Sequence, residues 1–232
     1  MSVLIFGSKG LGAALARRLA GQRVHVASRS QDALETLAKD TGCSFSVCDV
    51  TKEGEVKRVV EEVGDVKGLV YAVGNIVVKP PSRVTRKDLM DCFLLNTVPA
   101  IEAVVAAQTS LKQNKGSVVL FSTVASRVGL PSHTVIASAK GAVEAATRSL
   151  ACDLAPDVRV NCIAPSLVES PLGKTVAANP KIAEAIAGTH PLKRLGTSDD
   201  LASLTEFLLK DDSSWITGQI LSVDGGKSCL LK

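Results

Sequence analysis

Short apolar strands that alternate with helical segments constrain the fold of this chain more than any other feature. Strand-like runs occupy residues 2–6, 23–27, 44–48, 68–73, 116–121 and 158–163, and a seventh lies within 215–226. Helical patterns separate them, ending near Ala20 and then covering about 31–41, 86–112, 137–151 and 198–209, with another helix beginning near Thr51 or Lys52. Alternation of this kind requires right-handed crossovers between parallel strands. The sequence therefore predicts an α/β fold, with a doubly wound parallel sheet of about seven strands and helices on both faces.

The composition fits one domain that spans residues 1–232. Apolar residues make up 46% of the chain and charged residues 22%, as expected for a sheet buried on both faces. The net charge of +4 is spread out and aromatic residues are only 3%, so no nucleic-acid partner is predicted. No run of about eighteen apolar residues occurs, so we expect no membrane association and a cytoplasmic location. The six cysteines lack metal-ligand spacing, and no metal site is predicted.

A glycine-rich turn follows the first strand. Residues Gly7 to Gly12 read G-S-K-G-L-G and lead directly into a helix. Glycines let a backbone approach a pyrophosphate, and a helix N-terminus offers free N–H groups to it. The turn thus indicates a dinucleotide site, although a plain tight turn between strand and helix has the same pattern.

The end of the second strand indicates which dinucleotide would bind. Ser28, Arg29 and Ser30 stand there, without the carboxylate that would hydrogen-bond a ribose 2′-hydroxyl. Arginine accommodates a 2′-phosphate, and Lys9 in the turn could add a second positive charge. We therefore expect NADP(H) to be favoured over NAD(H). The alternative is that Arg29 is only a solvated charge at a helix entry.

A long helix rich in small residues carries Lys140, and two further segments, 161–165 (N-C-I-A-P) and 215–226 (W-I-T-G-Q-I-L-S-V-D-G-G), have distinctive sequences. Over essentially its whole length the chain resembles the short-chain dehydrogenase/reductase family, whose fold is Rossmann-type. The family's active-site helix carries Tyr-x-x-x-Lys. Here Ile136 stands in the place of the tyrosine.

The resemblance implies a set of cofactor contacts along the chain. The family's first turn is Gly-x-x-x-Gly-x-Gly, and its first glycine aligns either with Phe6 or, after a one-residue deletion, with Gly7. Tyr71 replaces the first asparagine of the family's Asn-Asn-Ala-Gly, and we expect it to pack. The implied cofactor-binding residues are Gly7, Ser8, Lys9, Gly10, Leu11, Gly12, Ser28, Arg29, Asp49, Val50, Ala72, Val73, Gly74, Lys140, Pro165, Val168 and Ser170. Asp49 could instead only cap the helix that follows it.

The resemblance also implies catalytic roles for Lys140, Thr123 and Asn96. Thr123 matches the family's substrate-orienting serine, and Asn96 matches the asparagine that distorts its helix and holds a water. Ile136 has no proton to give. A substitute acid could be His133, which stands where the enoyl-reductase branch has its tyrosine, or a water held by the other three residues. Otherwise His133 is an exposed loop residue and the site has lost its chemistry.

The family resemblance leads to a prediction of function and assembly. We expect an NADP(H)-dependent oxidoreductase acting on a carbonyl or hydroxyl group of a small molecule, with residues 167–190 as a lid over the substrate. A catalytically silent NADP-binding sensor or scaffold is the first alternative, and a lyase or isomerase on the same fold is the second. The alanine-rich faces of 97–111 and 137–151 and the resemblance predict a homodimer or homotetramer.

Overall fold

The computed structural model describes residues 2–230 as alternating strands and helices. The strands are β1 (Ser2–Phe6), β2 (Arg23–Ser28), β3 (Ser44–Val47), β4 (Gly68–Tyr71), β5 (Ser117–Phe121), β6 (Arg159–Pro165), β7 (Val168–Glu169), β8 (Gly196–Thr197) and β9 (Ile220–Val223). The helices are α1 (Leu11–Arg18), α2 (Gln31–Thr41), α3 (Glu55–Val63), α4 (Arg86–Asn96), α5 (Val98–Gln113), α6 (Thr134–Leu154), α7 (Pro180–Gly188) and α8 (Ser198–Leu209).

Seven of the strands described within residues 2–230 form one parallel sheet in the order β3-β2-β1-β4-β5-β6-β9. The predicted fold class is thereby confirmed. The chain reverses its direction of winding between β1 and β4, and ligands of such sheets bind beyond the carboxyl ends of the strands at this point. The short strands β7 and β8 pair separately, next to the predicted lid.

The sheet is buried between two layers of helices, as its continuous apolar strands require. One face packs against α3, α5 and α6, and the other packs against α1, α2 and α8. Alternate side chains of β1 point to opposite faces of the sheet. Leu4 and Phe6 pack on the side of α3, α5 and α6, and Val3 and Ile5 pack on the side of α1, α2 and α8. This packing fixes where every strand ends and so positions the loops at the carboxyl edge.

Two helix boundaries differ from the sequence prediction. The helix expected near Thr51 begins at Glu55, because Gly54 at its N-cap has a left-handed φ of 80°. The helical stretch expected over 86–112 is broken at Thr97, which has φ −114° and ψ −57° and separates α4 from α5. Pro99 falls in the first turn of α5, where a missing N–H costs no helical hydrogen bond. The break therefore places Asn96 at a helix end.

The segment from Arg86 to Gln113 has a mean hydropathy of 1.6 in its most apolar window, enough by length and composition to cross a membrane. Core helices of soluble proteins pass the same test, and this segment is interrupted at Thr97. Its buried positions, including Ala103, Val104 and Ala107, pack against the sheet and its neighbouring helices. The segment is thus a packed layer of the domain.

Candidate active site

A cleft with a volume of about 990 Å³ opens at the carboxyl edge of the sheet. The size suits a ligand as large as a dinucleotide with a small substrate. Nearly all of the site residues named from the sequence line it. These are Gly7, Ser8, Lys9, Gly10, Leu11, Ser28, Arg29, Val50, Ala72, Val73, Gly74, Thr123, His133, Lys140, Pro165, Val168 and Ser170. Gly12, Asp49 and Asn96 lie outside its lining.

The glycine turn begins at Gly7. Phe6 ends β1 fully buried, with its ring 5.8 Å from the ring of Tyr71, so it belongs to the core. Gly7 has φ 120°, and a Cβ on Gly12 would stand only 1.9 Å from the carbonyl oxygen of Gly7. Glycine is therefore required at both ends of the turn, and of the two alignments the shortened turn agrees with the structure.

Two hydroxyls and two cations surround the end of β2. The Oγ atoms of Ser8 and Ser28 are 2.7 Å apart, which joins the glycine turn to this strand. Lys9 and Arg29, the next residues along the chain after these serines, are exposed and line the cleft. The structure thus places both predicted phosphate-binding cations at one end of the cleft.

Asp49 binds its own loop. Its Oδ1 accepts hydrogen bonds from the backbone N–H of Thr51 at 3.1 Å and from the Thr51 hydroxyl at 2.7 Å. These bonds lower the pKa of the carboxyl, and the nearby charge of Arg29 adds to the effect. The expected cap on a helix at Thr51 is wrong, because a turn precedes α3 there. Asp49 stabilises that turn beside the cleft residue Val50.

Tyr71 packs in the core against Phe6, as the sequence predicted. Its ring is 2% exposed, and its hydroxyl donates a hydrogen bond to the carbonyl of Leu95 at 2.7 Å. Burial raises the pKa of the phenol far above its usual value. This hydroxyl is therefore occupied in the core and is no substitute for the missing tyrosine of α6.

Asn96 and Lys140 meet around Gly74. A Cβ on Gly74 would lie 2.7 Å from Oδ1 of Asn96 and 3.4 Å from Nζ of Lys140. The Asn96 amide donates to the carbonyl of Cys92 at 2.9 Å and to Oδ1 of Asn75 at 2.8 Å, and the residue is fully buried. Asn96 therefore stands behind the cleft wall formed by Gly74 and Asn75, while Lys140 reaches the cleft itself.

Lys140 is the most perturbed cation of the cleft. It is 7% exposed, and burial lowers the pKa of its ammonium to about 8. The buried thiols Cys162 and Cys92 are its nearest titratable neighbours. A charge held in such surroundings is costly unless a ligand supplies acceptors for it.

Ile136 lies 3% exposed on the same face of α6, one turn before Lys140, and lines the cleft. Thr123 and His133 line it as well. The Nδ1 atom of His133 is 2.7 Å from the carbonyl of Pro131, so its Nε2 atom is the nitrogen free to meet a ligand. The structure thus brings together every group that the sequence named for catalysis, with Asn96 one layer behind.

A buried carboxylate that the sequence did not single out supports the loop after β5. Glu144 on α6 is 6% exposed. Its Oε1 accepts hydrogen bonds from the hydroxyls of Ser122 and Ser126, and its Oε2 lies 3.4 Å from Nε of Arg127. Glu144 follows Lys140 by one helical turn, and the cluster fixes the loop that carries Thr123. Its i, i+4 spacing from Lys140 was the available signal.

Part of the cleft wall comes from the segment 167–190 that was predicted to be a lid. Leu172, Thr175, Val176 and Ile186 from this segment line the cavity. The Oγ atom of Ser170 accepts from the N–H of Gly173 at 3.0 Å, and a Cβ on Gly173 would be 1.9 Å from the carbonyl of Val168.

Within residues 2–230 no cluster of three or more potential metal ligands occurs.

Comparisons with known proteins agree with this geometry. The family model described as enoyl-(acyl carrier protein) reductase matches residues 5–228. A tropinone reductase homolog of Arabidopsis thaliana is 34% identical over 234 residues, covering 95% of this chain and 89% of that protein.

Solved structures are similar over the whole chain. A short-chain dehydrogenase/reductase from Mycobacterium ulcerans has a TM-score of 0.90 and 27% identity, covering 98% of this chain and 89% of its own. ElxO, solved with NADP bound, has a TM-score of 0.90 and 25% identity, covering 97% and 98%. A family model and relatives that match nearly the entire chain, together with the parallel sheet and its glycine turn, show that this protein belongs to the short-chain dehydrogenase/reductase family of oxidoreductases.

Proposed function

We propose that the protein is an NADP(H)-dependent oxidoreductase that acts on a carbonyl or hydroxyl group of a small molecule. The observation that carries the proposal is the pair of cations Lys9 and Arg29 at the end of β2, where Ser28 and Ser30 leave no carboxylate in the position that selects NAD. The planar, permanently charged guanidinium of Arg29 suits a 2′-phosphate. ElxO, the relative with NADP bound, is in keeping with this choice.

The glycine turn fits the pyrophosphate of such a cofactor. Gly10, with φ 53°, is the N-cap of α1, and Gly10 and Leu11 line the cleft, so the N-terminal end of that helix lies at the cleft. The close approach of Gly7 and Gly12 shows that side chains are excluded from the inside of the turn. Backbone donors and the positive end of the helix dipole then meet the phosphates directly.

Lys140 would bind the cofactor ribose. Its ammonium is buried at the cleft wall beside Gly74, and ribose hydroxyls are the acceptors that would offset its desolvation. When bound, the nicotinamide supplies or accepts the hydride. Thr123 would orient the substrate oxygen, since its hydroxyl lines the cleft at the end of β5.

Proton donation in this site would be non-standard because Ile136 is apolar. His133 is one candidate donor, through the Nε2 atom left free by its bond to Pro131. A water held between Thr123 and Lys140, with Asn96 behind them, is a second. Either group would have to supply a contribution of about a hundred- to ten-thousand-fold, the usual range for a positioned acid.

A catalytically silent NADP-binding protein is the second candidate function. Ile136 favours it, because the buried isoleucine removes the family's acid while the cofactor end of the cleft keeps its glycines and cations. In that case cofactor binding would serve sensing or assembly.

The substitution Ile136→Tyr separates the two functions, with Ile136→Phe as a control of equal bulk that lacks the hydroxyl. We expect NADPH-dependent reduction of a panel of ketones and aldehydes, and we expect Tyr to raise kcat about a hundredfold or more over Phe. If NADPH binds but the wild type reduces no carbonyl compound, the silent function is the correct one, and reduction by Ile136→Tyr alone would then mean that the rest of the site is intact.

We also propose a homodimer or homotetramer. Leu94, Val98 and Val105 are 43%, 41% and 51% exposed on the outer side of α4 and α5, where a second copy would cover them. Light scattering at working concentration tests this proposal, and a monomeric mass would defeat it.

A further inference from the structure

We propose that Ser166 and His190 form a proton relay that serves the cleft, with Ser166 facing the substrate and His190 behind it. This inference rests on the proposed oxidoreductase function and gives it an acid in place of the missing tyrosine, as an alternative to His133 and to a bound water. It is carried by a serine–histidine contact that joins the cleft to a second, polar cavity.

Ser166 stands beside the candidate substrate-orienting residue. It is the first residue after β6, and β6 pairs with β5 so that Phe121 lies opposite Ile163. The N–H of Ser122 donates to the carbonyl of Ile163 at 2.8 Å, which continues this pairing into the loops. Neighbouring strands are about 4.8 Å apart, so the segments that carry Thr123 and Ser166 leave the sheet side by side. Both residues line the cleft.

His190 is held by both of its ring nitrogens. The ring is 1% exposed, with Nε2 at 2.8 Å from Oγ of Ser166 and Nδ1 at 2.9 Å from the carbonyl of Ile186. A carbonyl can only accept, so Nδ1 carries the hydrogen. In the neutral ring Nε2 is then an acceptor, and the Ser166 hydroxyl donates to it. The histidine is thereby oriented toward one serine.

A side cavity of about 180 Å³ lies behind this pair. Ser166, Leu167 and Leu201 line both this cavity and the main cleft, so Ser166 stands in the partition between them. A water molecule occupies about 30 Å³ in the liquid, so the side cavity has room for a few. Its polar lining consists of His190, Arg194, Asp200, Ser203 and Asp224. The serine–histidine pair therefore lies between the cleft and a polar cavity that has room for water.

Charged groups surround His190. Asp224, after β9, is partly desolvated, which opposes ionisation, but hydrogen bonds from Ser228 and Gly226 lower its pKa, so it is anionic at neutral pH. Its charge interacts with that of His190. Arg194 is already paired with Asp200, at 2.6 and 2.9 Å. Lys227 bonds the hydroxyl of Thr189, the residue before His190, and the Lys193 ammonium bonds the carbonyl of Gly188.

Ser166 and His190 would carry the proton in both directions of the reaction. In reduction, a bound reduced nicotinamide would supply the hydride to the carbonyl carbon, and the substrate oxygen would take the proton of the Ser166 hydroxyl. The Oγ atom of Ser166 would then take the Nε2 proton of the His190 imidazolium, and the neutral ring would recover a proton on Nε2 by way of the Ser166 hydroxyl once the product has left the cleft. In oxidation, the alcohol proton passes to Ser166 and from there to neutral His190.

The first test is the protonation of His190 in the apo protein, read by ¹⁵N NMR of histidine-labelled protein, which contains only three histidines. We expect Nδ1 to carry the hydrogen of the neutral ring and Nε2 to take up the second proton, and we expect the Nε2 signal to change in Ser166→Ala, which removes its partner. His25 provides the internal reference, because its ring bonds Ser44 and Ser46 at 2.9 and 2.7 Å far from the side cavity. A ring that keeps one protonation state throughout, or that holds its hydrogen on Nε2, would overturn the relay without any substrate.

The second test is turnover of whichever carbonyl compound the wild type reduces. Ser166→Ala should lower kcat about a hundredfold with the KM for NADPH within twofold, and Ser166→Thr should restore part of the loss. The wild-type rate of reduction should fall as pH rises through the His190 midpoint, and this fall should be absent in Ser166→Ala. The matched control Ser46→Ala removes a serine bonded to a different histidine and should change neither value.

The two proposals fail differently in this experiment. If the wild type binds no NADPH or reduces no carbonyl compound, the proposed oxidoreductase function fails. If it turns over and Ser166→Ala is as fast as the wild type with an unchanged pH profile, only the relay is wrong.

Discussion

Replacing Lys140 by methionine should stabilise the apo protein, although it removes a buried cation of the cleft. Burial lowers the pKa of Lys140 from its usual 10.5 to about 8. Each pKa unit corresponds to about 1.4 kcal/mol, so the charged form is less stable in the folded than in the unfolded chain by about 3 kcal/mol. Methionine has a similar length and carries no charge. The substitution therefore removes that cost.

The effect must depend on pH in a defined direction. Because folding lowers the pKa, the unfolded chain binds more protons than the folded one between pH 8 and 10.5, and wild-type stability rises with pH across that window. Below pH 8 the full cost is present, so Lys140→Met should unfold with a free energy higher by about 3 kcal/mol. Well above pH 10.5 neither the folded nor the unfolded wild type is charged at this position, and the difference should disappear.

Urea unfolding at pH 7, 8.5 and 10 measures this difference, with Lys39→Met on the exposed face of α2 as the control. The control should change stability by about 0.5 kcal/mol or less at every pH. If Lys140→Met is less stable than the wild type at pH 7, or if its gain is the same at all three pH values, then Lys140 is not a desolvated ammonium in the apo cleft.

Three further predictions concern single positions. Arg29→Ala should weaken NADPH binding about tenfold to a hundredfold and leave NADH unchanged in a fluorescence titration, because a charged hydrogen bond contributes about 1.5–3 kcal/mol; Arg23→Ala, at the other end of β2, should change neither affinity. Gly12→Ala should lower the free energy of unfolding, measured in urea, by about 3 kcal/mol, because its Cβ would meet the Gly7 carbonyl at 1.9 Å. The control Gly141→Ala, in open space on α6, should raise it by about 0.5–1 kcal/mol, and equal stabilities of the two variants would refute the clash. Thr197→Ala should cost about 1 kcal/mol in the same assay, since Thr197 and Asp200 form the capping box of α8, and an unchanged midpoint would contradict that role.

Much of the fold could be predicted from the sequence because its signals are local. Apolar strands of four to seven residues alternate with helices, and this order alone fixes a parallel sheet. The break between α4 and α5 at Thr97 was missed, because residues 86–112 have one continuous helical pattern. The start of α3 was missed because Gly54, with its left-handed φ, delays the helix after the turn at Asp49.

Only part of the site could be predicted from the sequence. The sequence left the first glycine of the turn open, and the burial of Phe6 against Tyr71 decides it, which is a matter of tertiary packing. The contact of Ser166 with His190 joins residues 24 positions apart on irregular segments, where no periodicity relates them. Pairings of this kind become visible only when the ends of β6 and α7 are placed in space.

We propose that this cleft binds a nicotinamide dinucleotide and prefers the one with a 2′-phosphate. The most direct measurement is a titration of the purified wild-type protein with NADPH and with NADH, followed by nicotinamide fluorescence. We expect NADPH to bind at least about tenfold more tightly, as one charged hydrogen bond to the 2′-phosphate from Arg29 or Lys9 would produce. Equal affinities would contradict the assignment of these two cations, and binding of neither cofactor would contradict the account of the cleft as a whole.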